Sequence, residues 1–281
     1  MDPEVELNPF KLKAELQCFG LKRDAKLSID AGRVTGAGPS GGRYFILPED
    51  TLATIPLHGD FIKASPYCLK RDDQRGYIIE RGGKSCFRVE LIPPPRFYEK
   101  TTNCGIPMSK IALLHGRDCL ATTVNPYCIY WRRGKMCLFC GIEIPMQLGW
   151  SIGKKDPQLW IEVLEESIKE GVCSHITLTC GEGGMSDRGS KQYYPLIRSA
   201  KERYNIPIYV QTPPPSDFTY LDKLLALGVD SIGINIESFD PSIFSWACPG
   251  KSADSTMKKY FSAWKYAIDL FGDNQVSTFI I

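Results

Sequence analysis

Cys128, Cys137 and Cys140 stand in the spacing C-x8-C-x2-C, inside a stretch that also carries Trp131, Arg132, Arg133 and Lys135. Three thiolates so close in sequence can converge on one metal centre. A structural zinc ion asks for a fourth protein ligand, usually from a second C-x2-C pair or a neighbouring histidine. His115 precedes the strand that leads into this loop and Cys119 begins it. An extended strand at ~3.3 Å per residue leaves His115 on the order of 25–30 Å from the loop, and Cys119 fails for the same reason. Three cysteines without a fourth leave one iron of a [4Fe–4S] cube open to another ligand. A three-cysteine zinc loop and redox-active thiols are the alternatives.

Two later segments carry polar groups that a core would not choose. Thr179-Cys180-Gly181-Glu182-Gly183-Gly184 puts a carboxylate in a glycine-rich turn. Glycines allow close backbone approach, and a carboxylate accepts hydrogen bonds from an ammonium. An ordinary glycine-rich turn is the competing reading, with Cys180 an incidental thiol. In Gly233-Ile234-Asn235-Ile236-Glu237-Ser238, strand alternation sets Asn235 and Glu237 on one face. Such groups on a buried strand are costly unless paired, which favours a site over core filling. Gln211-Thr212 close the third strand, where a substrate can be reached. The basic, aromatic insert at 131–135 reads as a solvated excursion or as a contact for an acidic substrate or electron donor.

From residue 117 onward the chain alternates strand and helix. Strands are expected at 118–124, 175–180, 207–211, 231–236 and 276–281. Helices are expected between them. The first starts at Asp156-Pro157, an N-cap aspartate before a first-turn proline, keeps Leu159, Trp160, Val163, Leu164 and Ile168 at helical spacing, and closes at Gly171. Three more cover 191–204, 218–227 and 256–271. Five strands with four crossovers make a parallel sheet whose sites lie at the carboxyl ends of the strands, where the cysteine loop falls. Periodicity does not separate a (β/α) barrel from an open doubly wound sheet. No strand runs into Gly-x-Gly-x-x-Gly or a Walker loop. Residues 1–105 differ: a helix over 7–20 and short β runs at 44–47, 76–80 and 86–91 alternate with turns such as 36–42. Pro93-Pro94-Pro95 marks the boundary, giving a small α+β region at 1–105 and an α/β region at 106–281.

Composition sets the exclusions. With 281 residues, 43% of them hydrophobic, and 34 basic against 32 acidic side chains, the chain is globular and gives no electrostatic reason for a nucleic-acid or membrane partner. No apolar run reaches the roughly 20 residues of a membrane helix, and Met1–Glu6 carry neither the basic start nor the apolar core of a signal peptide. A cytoplasmic protein is expected. Eleven cysteines cannot all pair within one chain, and reduced thiols, some on metal, fit better than disulfides. Cys18, Cys68, Cys86 and Cys173 are expected in cores. The last residues, 276–281, are an apolar strand with no polar tail, which reads as a barrel cut short at its C-terminus.

Together the cysteine loop and these segments resemble the radical S-adenosylmethionine (SAM) superfamily. Cys137-Leu138-Phe139-Cys140 is similar to the second half of its C-x3-C-x2-C motif, with Phe139 in the aromatic place; the first gap here is eight residues instead of three. Residues 179–184 stand where the superfamily carries its GGE-like stretch, in scrambled order. Residues 233–240 with Cys248-Pro249-Gly250 resemble the corresponding run of lipoyl synthases and biotin-synthase-like enzymes, with cysteine where those carry arginine. The second, N-terminal cluster of lipoyl synthases has no counterpart among Cys18, Cys68, Cys86 and Cys104. The whole chain looks closer to an uncharacterised radical SAM family encoded beside nitrilase-type genes.

The resemblance implies an α/β fold, a partial (β/α) barrel of radical SAM type behind the α+β region. It implies that Cys128, Cys137 and Cys140 hold a [4Fe–4S] cluster, and that Phe139, Glu182, Asn235 and Glu237 contact S-adenosyl-L-methionine. The expected activity is reductive cleavage of SAM to a 5′-deoxyadenosyl radical, which takes hydrogen from an organic small molecule. An electron donor such as ferredoxin or flavodoxin is then a partner. A non-catalytic zinc- or iron–sulfur-binding remnant is the alternative, and a plain barrel enzyme with incidental thiols a third.

Overall fold

The computed structural model describes residues 8–29, 41–72, 76–184 and 186–281, and of residues 85 and 86 the backbone only. The N-terminal segment 1–6, the turn expected at 36–42 as far as residue 40, and the core role of Cys86 lie outside them. The chain divides into two compact units, Met1–Pro94 with His115–Arg117, and Pro95–Leu114 with Asp118–Ile281.

The first unit pairs helix α1 (Pro9–Phe19) with six strands: β1 (Lys22–Arg23), β2 (Gly42–Leu47), β3 (Thr51–Pro56), β4 (Tyr67–Arg71), β5 (Tyr77–Arg81) and β6 (Lys84–Leu91). Their order is β1-β4-β5-β6-β2-β3, antiparallel except for β1 beside β4. Asn8 starts the helix by accepting from Phe10 N–H at 2.9 Å. Leu12 and Leu16 then join Phe45, Ile55, Tyr67, Leu69 and Ile79 in an apolar core. The expected helix and three expected strands are present; β1, β3 and β4 are additions. Cys18 is exposed, which corrects its core assignment: it sits in the last turn of α1, off the Leu12–Leu16 stripe. Cys68 and, in the second unit, Cys173 are half-buried.

The second sheet runs β7 (Leu113–His115), β8 (Cys119–Asn125), β9 (His175–Cys180), β10 (Ile208–Gln211), β11 (Ser231–Gly233), β12 (Val276–Ser277), in that spatial order. From β8 to β12 every neighbouring pair is parallel. Each new strand adds on the same side as the last, with no reversal of order. That is the winding of a (β/α) barrel and not of a doubly wound sheet, and with five parallel strands the barrel is partial. Crossovers are α4 (Pro157–Glu170), α5 (Tyr194–Lys201), α6 (Thr219–Ala226) and α9 (Met257–Phe271); α2 (Ile129–Arg132) and α3 (Ile144–Gln147) follow β8, and α7 (Pro241–Ala247) and α8 (Pro249–Asp254) follow β11.

Local chemistry explains the boundaries. Asp156 caps α4 through Gln158 N–H at 2.8 Å, and Gly171 ends it in the left-handed region. Helix α5 begins at Tyr194, later than the expected 191, because Pro195 suits only a first turn. Regular β11 stops at Gly233 and not at 236, because Ile236 N–H bonds the Thr278 hydroxyl instead of a backbone carbonyl; pairing resumes as a single bridge between Glu237 and Ile280.

The two faces of the sheet differ. Leu120, Val124, Ile176, Leu178, Ile208, Val210 and Ile232 are buried in one core with Trp160, Val163 and Leu164 of α4, Leu221 and Leu224 of α6, and Tyr260 and Ala263 of α9. The opposite face is polar and partly accessible: Thr123 and Thr179 hydroxyls meet at 3.0 Å, Cys119 Sγ meets the Thr177 hydroxyl at 3.2 Å, and Tyr209 meets Ser277 at 2.8 Å. Packing against a second apolar layer would make such a face apolar; a polar, accessible one is the inner face of a barrel that side chains do not fill.

Candidate functional site

The loop after β8 carries all three motif cysteines. Cys128 and Cys137 are buried and Cys140 half-buried. The long first gap is folded: residues 129–132 form α2, Tyr130 enters the interior, and Gly134 turns the chain back toward Cys137. Residues 132–135 are exposed, as expected of a solvated excursion. Arg132 lies over the Tyr127 ring and Arg133 within 3.8 Å of Asp254, both still exposed.

The glycine-rich turn is laid against this loop backbone to backbone. Gly181 N–H donates to Asn125 O at 2.7 Å, and Ile129 N–H to Glu182 O at 2.9 Å. A Cβ on Gly181 would stand 2.3 Å from Tyr127 O, so only glycine permits the approach. Glu143, which no spacing rule singles out, accepts from Cys128 N–H at 2.9 Å and is buried. Lys155, equally unannounced, donates to Ser151 Oγ, Ile152 O and Gly153 O at 2.9, 2.8 and 3.2 Å, while its own N–H bonds Val124 O. A buried ammonium thereby closes the loop from within.

Burial pushes the Cys128 and Cys140 thiols above their ordinary range. Backbone N–H groups of Tyr130, Glu182 and Trp131 offset this at Cys128, and the Ile142 N–H and the Trp131 indole offset it at Cys140. The Trp131 indole Nε1 is buried with no partner at normal hydrogen-bond geometry. A donor left facing a thiol in this way is suited to a thiolate carrying more charge. Cys137 and Cys248 stand close enough to interact: Cys137 draws the Cys248 thiol below its ordinary range, and Cys248, with burial, pushes that of Cys137 above it. Cys180, raised by burial to about 12, sits within electrostatic reach of Cys128 and Glu182.

Both predicted carboxylates are already paired. Glu182 accepts from Arg188 Nε at 2.9 Å and from Gly184 N–H at 3.0 Å; burial raises its pKa and Arg188 opposes the rise. Arg188 also donates to Tyr130 OH at 2.8 Å, and Tyr130 OH to Asp254 at 3.1 Å. Glu237 accepts from Lys251 Nζ at 2.7 Å, and Asn235 lends its carbonyl to the same ammonium at 3.4 Å. Although burial works against its charge, Tyr260 and Glu237 hold Lys251 above the usual lysine range. Glu237 has φ 73°, a left-handed backbone that a non-glycine residue holds at a cost of order 1–3 kcal/mol and that clusters at functional sites. Asn235 Oδ1 accepts from Phe279 N–H at 3.2 Å. Phe139 stands about half exposed on the rim of the loop, away from these groups' pairings. The sequence shows the two carboxylates; it did not show Arg188, Lys251 or Glu143, whose roles depend on which segments meet.

Among the described residues no three His, Cys, Asp or Glu side chains converge closely enough to hold a single metal ion. A four-iron cluster asks for something else, one thiolate at each of three corners. Three unbridged cysteines in one buried loop, with an unpartnered N–H beside Cys140, suit that demand. Among the described residues no helix is long and apolar enough to cross a membrane.

Residues 127–281 match the model of the Radical SAM superfamily. Over 96% of its length the chain is 24% identical to a bacteriochlorophyllide c C-7(1)-hydroxylase of Chlorobaculum limnaeum, 69% of which is covered. A solved structure of methylornithine synthase aligns over 57% of the chain with TM-score 0.42 and 16% identity; the chain spans 43% of that structure, and at this score the likeness carries no argument.

Proposed function

The chain belongs to the radical SAM superfamily, whose members are enzymes, and from this premise we propose that Cys128, Cys137 and Cys140 hold a [4Fe–4S] cluster that binds S-adenosylmethionine. When bound, the cluster supplies one electron that splits SAM into methionine and a 5′-deoxyadenosyl radical, the agent of hydrogen abstraction. The observation that carries the reading is the position of the three thiols. They occupy one loop at the carboxyl end of the first strand of a parallel barrel, fixed against the 181–184 turn.

The chain's own groups then divide the work. Glu182 and Glu237 are the polar contacts for SAM, with Asn235 the weaker partner and Phe139 at the rim. Each carboxylate stands beside a cation, Arg188 or Lys251, so the pocket offers charge of both signs to a ligand with an ammonium, a carboxylate and a sulfonium. The polar barrel face with Thr123, Thr179, Tyr209 and Gln211 receives the substrate, an organic small molecule, and the barrel keeps water from it. An electron donor such as ferredoxin or flavodoxin docks outside. The hydroxylase relative acts on bacteriochlorophyllide c; for this chain the reaction class is functionalisation of a C–H bond.

Anaerobic reconstitution with iron and sulfide, followed by EPR of the reduced protein with and without SAM, tests this. About four irons per chain and a [4Fe–4S]⁺ signal that shifts with SAM and vanishes in Cys128→Ala are expected. One zinc per chain, or a cluster blind to SAM, overturns it.

A further inference from the structure

Cys248 is a thiol that the proposed chemistry leaves without a task, and its placement is over-determined. It ends α7 and caps α8, with its own N–H on Phe244 O and its carbonyl accepting from Ser252 N–H, both at 2.9 Å. The segments on either side of it are bolted to the cysteine loop. Leu138 N–H donates to Ala247 O at 2.9 Å, and Gly250 N–H to Lys135 O at 3.1 Å. These two bonds bracket Cys137 in the loop and Cys248 at the junction of α7 and α8. Gly250 makes the seam possible, because a Cβ there would lie 2.3 Å from the Tyr130 ring and 2.7 Å from Lys135 O. Cys248 is fully buried and Cys137 nearly so, and the two backbone bonds hold the segments that carry them side by side, close enough for the thiols to interact. Among the described residues no side chain makes a hydrogen bond of normal geometry to the Cys248 sulfur.

We propose that Cys248 is a positioning residue that donates its S–H to the Cys137 thiolate when that thiolate ligates iron. The inference rests on the cluster reading above. A ligand thiolate gains negative charge when the cluster accepts its electron, so a donor aimed at it stabilises the reduced form more than the oxidised form and raises the potential. In a buried setting such a bond is stronger than in water. Cys248 is not required as a ligand for this, since the motif already supplies three. The bond needs no loss of its proton.

Wild type, Cys248→Ala and Cys248→Ser, reconstituted anaerobically, would be compared by iron and sulfide content and by a dye-mediated, EPR-monitored reductive titration. All three proteins are expected to hold the same cluster. In Cys248→Ala the equilibrium constant for one-electron reduction should fall about fivefold, the size of one lost hydrogen bond, or about 40 mV more negative at 59 mV per tenfold. Cys248→Ser, whose hydroxyl can still donate, should recover most of the shift. An intact cluster with an unchanged potential in Cys248→Ala overturns the proposal and leaves the cluster reading standing. Loss of the cluster in both variants also overturns it, making Cys248 a ligand or a support of the loop. A wild type that assembles no cluster overturns both readings together.

Discussion

Among the described residues, the antiparallel unit encloses Leu12, Leu16, Phe45, Ile55, Tyr67, Leu69 and Ile79 with Arg43 as its buried charge, whereas the barrel unit buries Glu143, Lys155, Glu182, Asp187, Arg188 and Glu237. The first interior is what hydrophobic burial alone selects. The second is expensive: each buried ion costs several kcal/mol unless a partner repays it. In the barrel unit the repayment is visible in Glu182 with Arg188 and Glu237 with Lys251. Burial can also keep a group neutral: it holds the imidazole of His115, half-buried in β7, down at about 4. Among the described residues one unit buries a single charged side chain, and the other buries six. The second pattern is that of a site.

The contrast can be broken most forcefully at Arg188. Arg188→Met strands the Glu182 carboxylate in the interior and should cost about 3–5 kcal/mol in denaturant unfolding, while Arg188→Met with Glu182→Leu should recover most of it. A single variant as stable as wild type would mean that the pair does not hold the buried charge.

A smaller effect is expected where the turn meets the loop. Gly181→Ala forces a Cβ against Tyr127 O, a backbone atom that cannot rotate away. About 1–3 kcal/mol should be lost, together with a reduced yield of iron on reconstitution. An unchanged iron yield would separate the turn from the metal centre.

The smallest effect at neutral pH is expected at His115, where burial alone, without an ion pair, disfavours charge. His115 has a pKa of about 4 when folded against 6.5 when unfolded, so its folded form prefers the neutral ring. Its contribution to stability is therefore complete above about pH 6.5 and is lost as the pH falls from there through about 4. His115→Gln should flatten the stability–pH curve of the chain in that window. A curve of unchanged slope would show that the imidazole titrates freely in the fold.

How far the sequence could be read varied with the range of the interactions. Strand 175–180 and helix 157–170 coincide with expectation to the residue, because Asp156, Pro157 and Gly171 write their ends into the chain. Strands β1, β3, β4 and β7 were not legible, being short or mixed-polarity runs whose pairing, not composition, makes them strands. At the site, the cysteine spacing and the two carboxylates were visible as residue types. Their partners were not. Arg188 reaches Glu182 from a loop with two successive positive φ values, at 188 and 189, and Lys251 reaches Glu237 from a helix the periodicity had not separated.

By itself the sequence determined the inventory and the local grammar: three thiols in one loop, a strand–helix alternation, and the caps and apolar stripe of the first crossover helix. These depend on contacts within a few residues, where propensity and capping act. Only the tertiary structure decided that the strands add in sequential order and so make a partial barrel, that its inner face is polar, and that Cys248 lies against Cys137. It also decided that Glu182 and Glu237 each have a cation beside them. Those outcomes rest on which distant segments the sheet brings together, and an isolated charge or thiol has no energetic meaning until its neighbour across the fold is known.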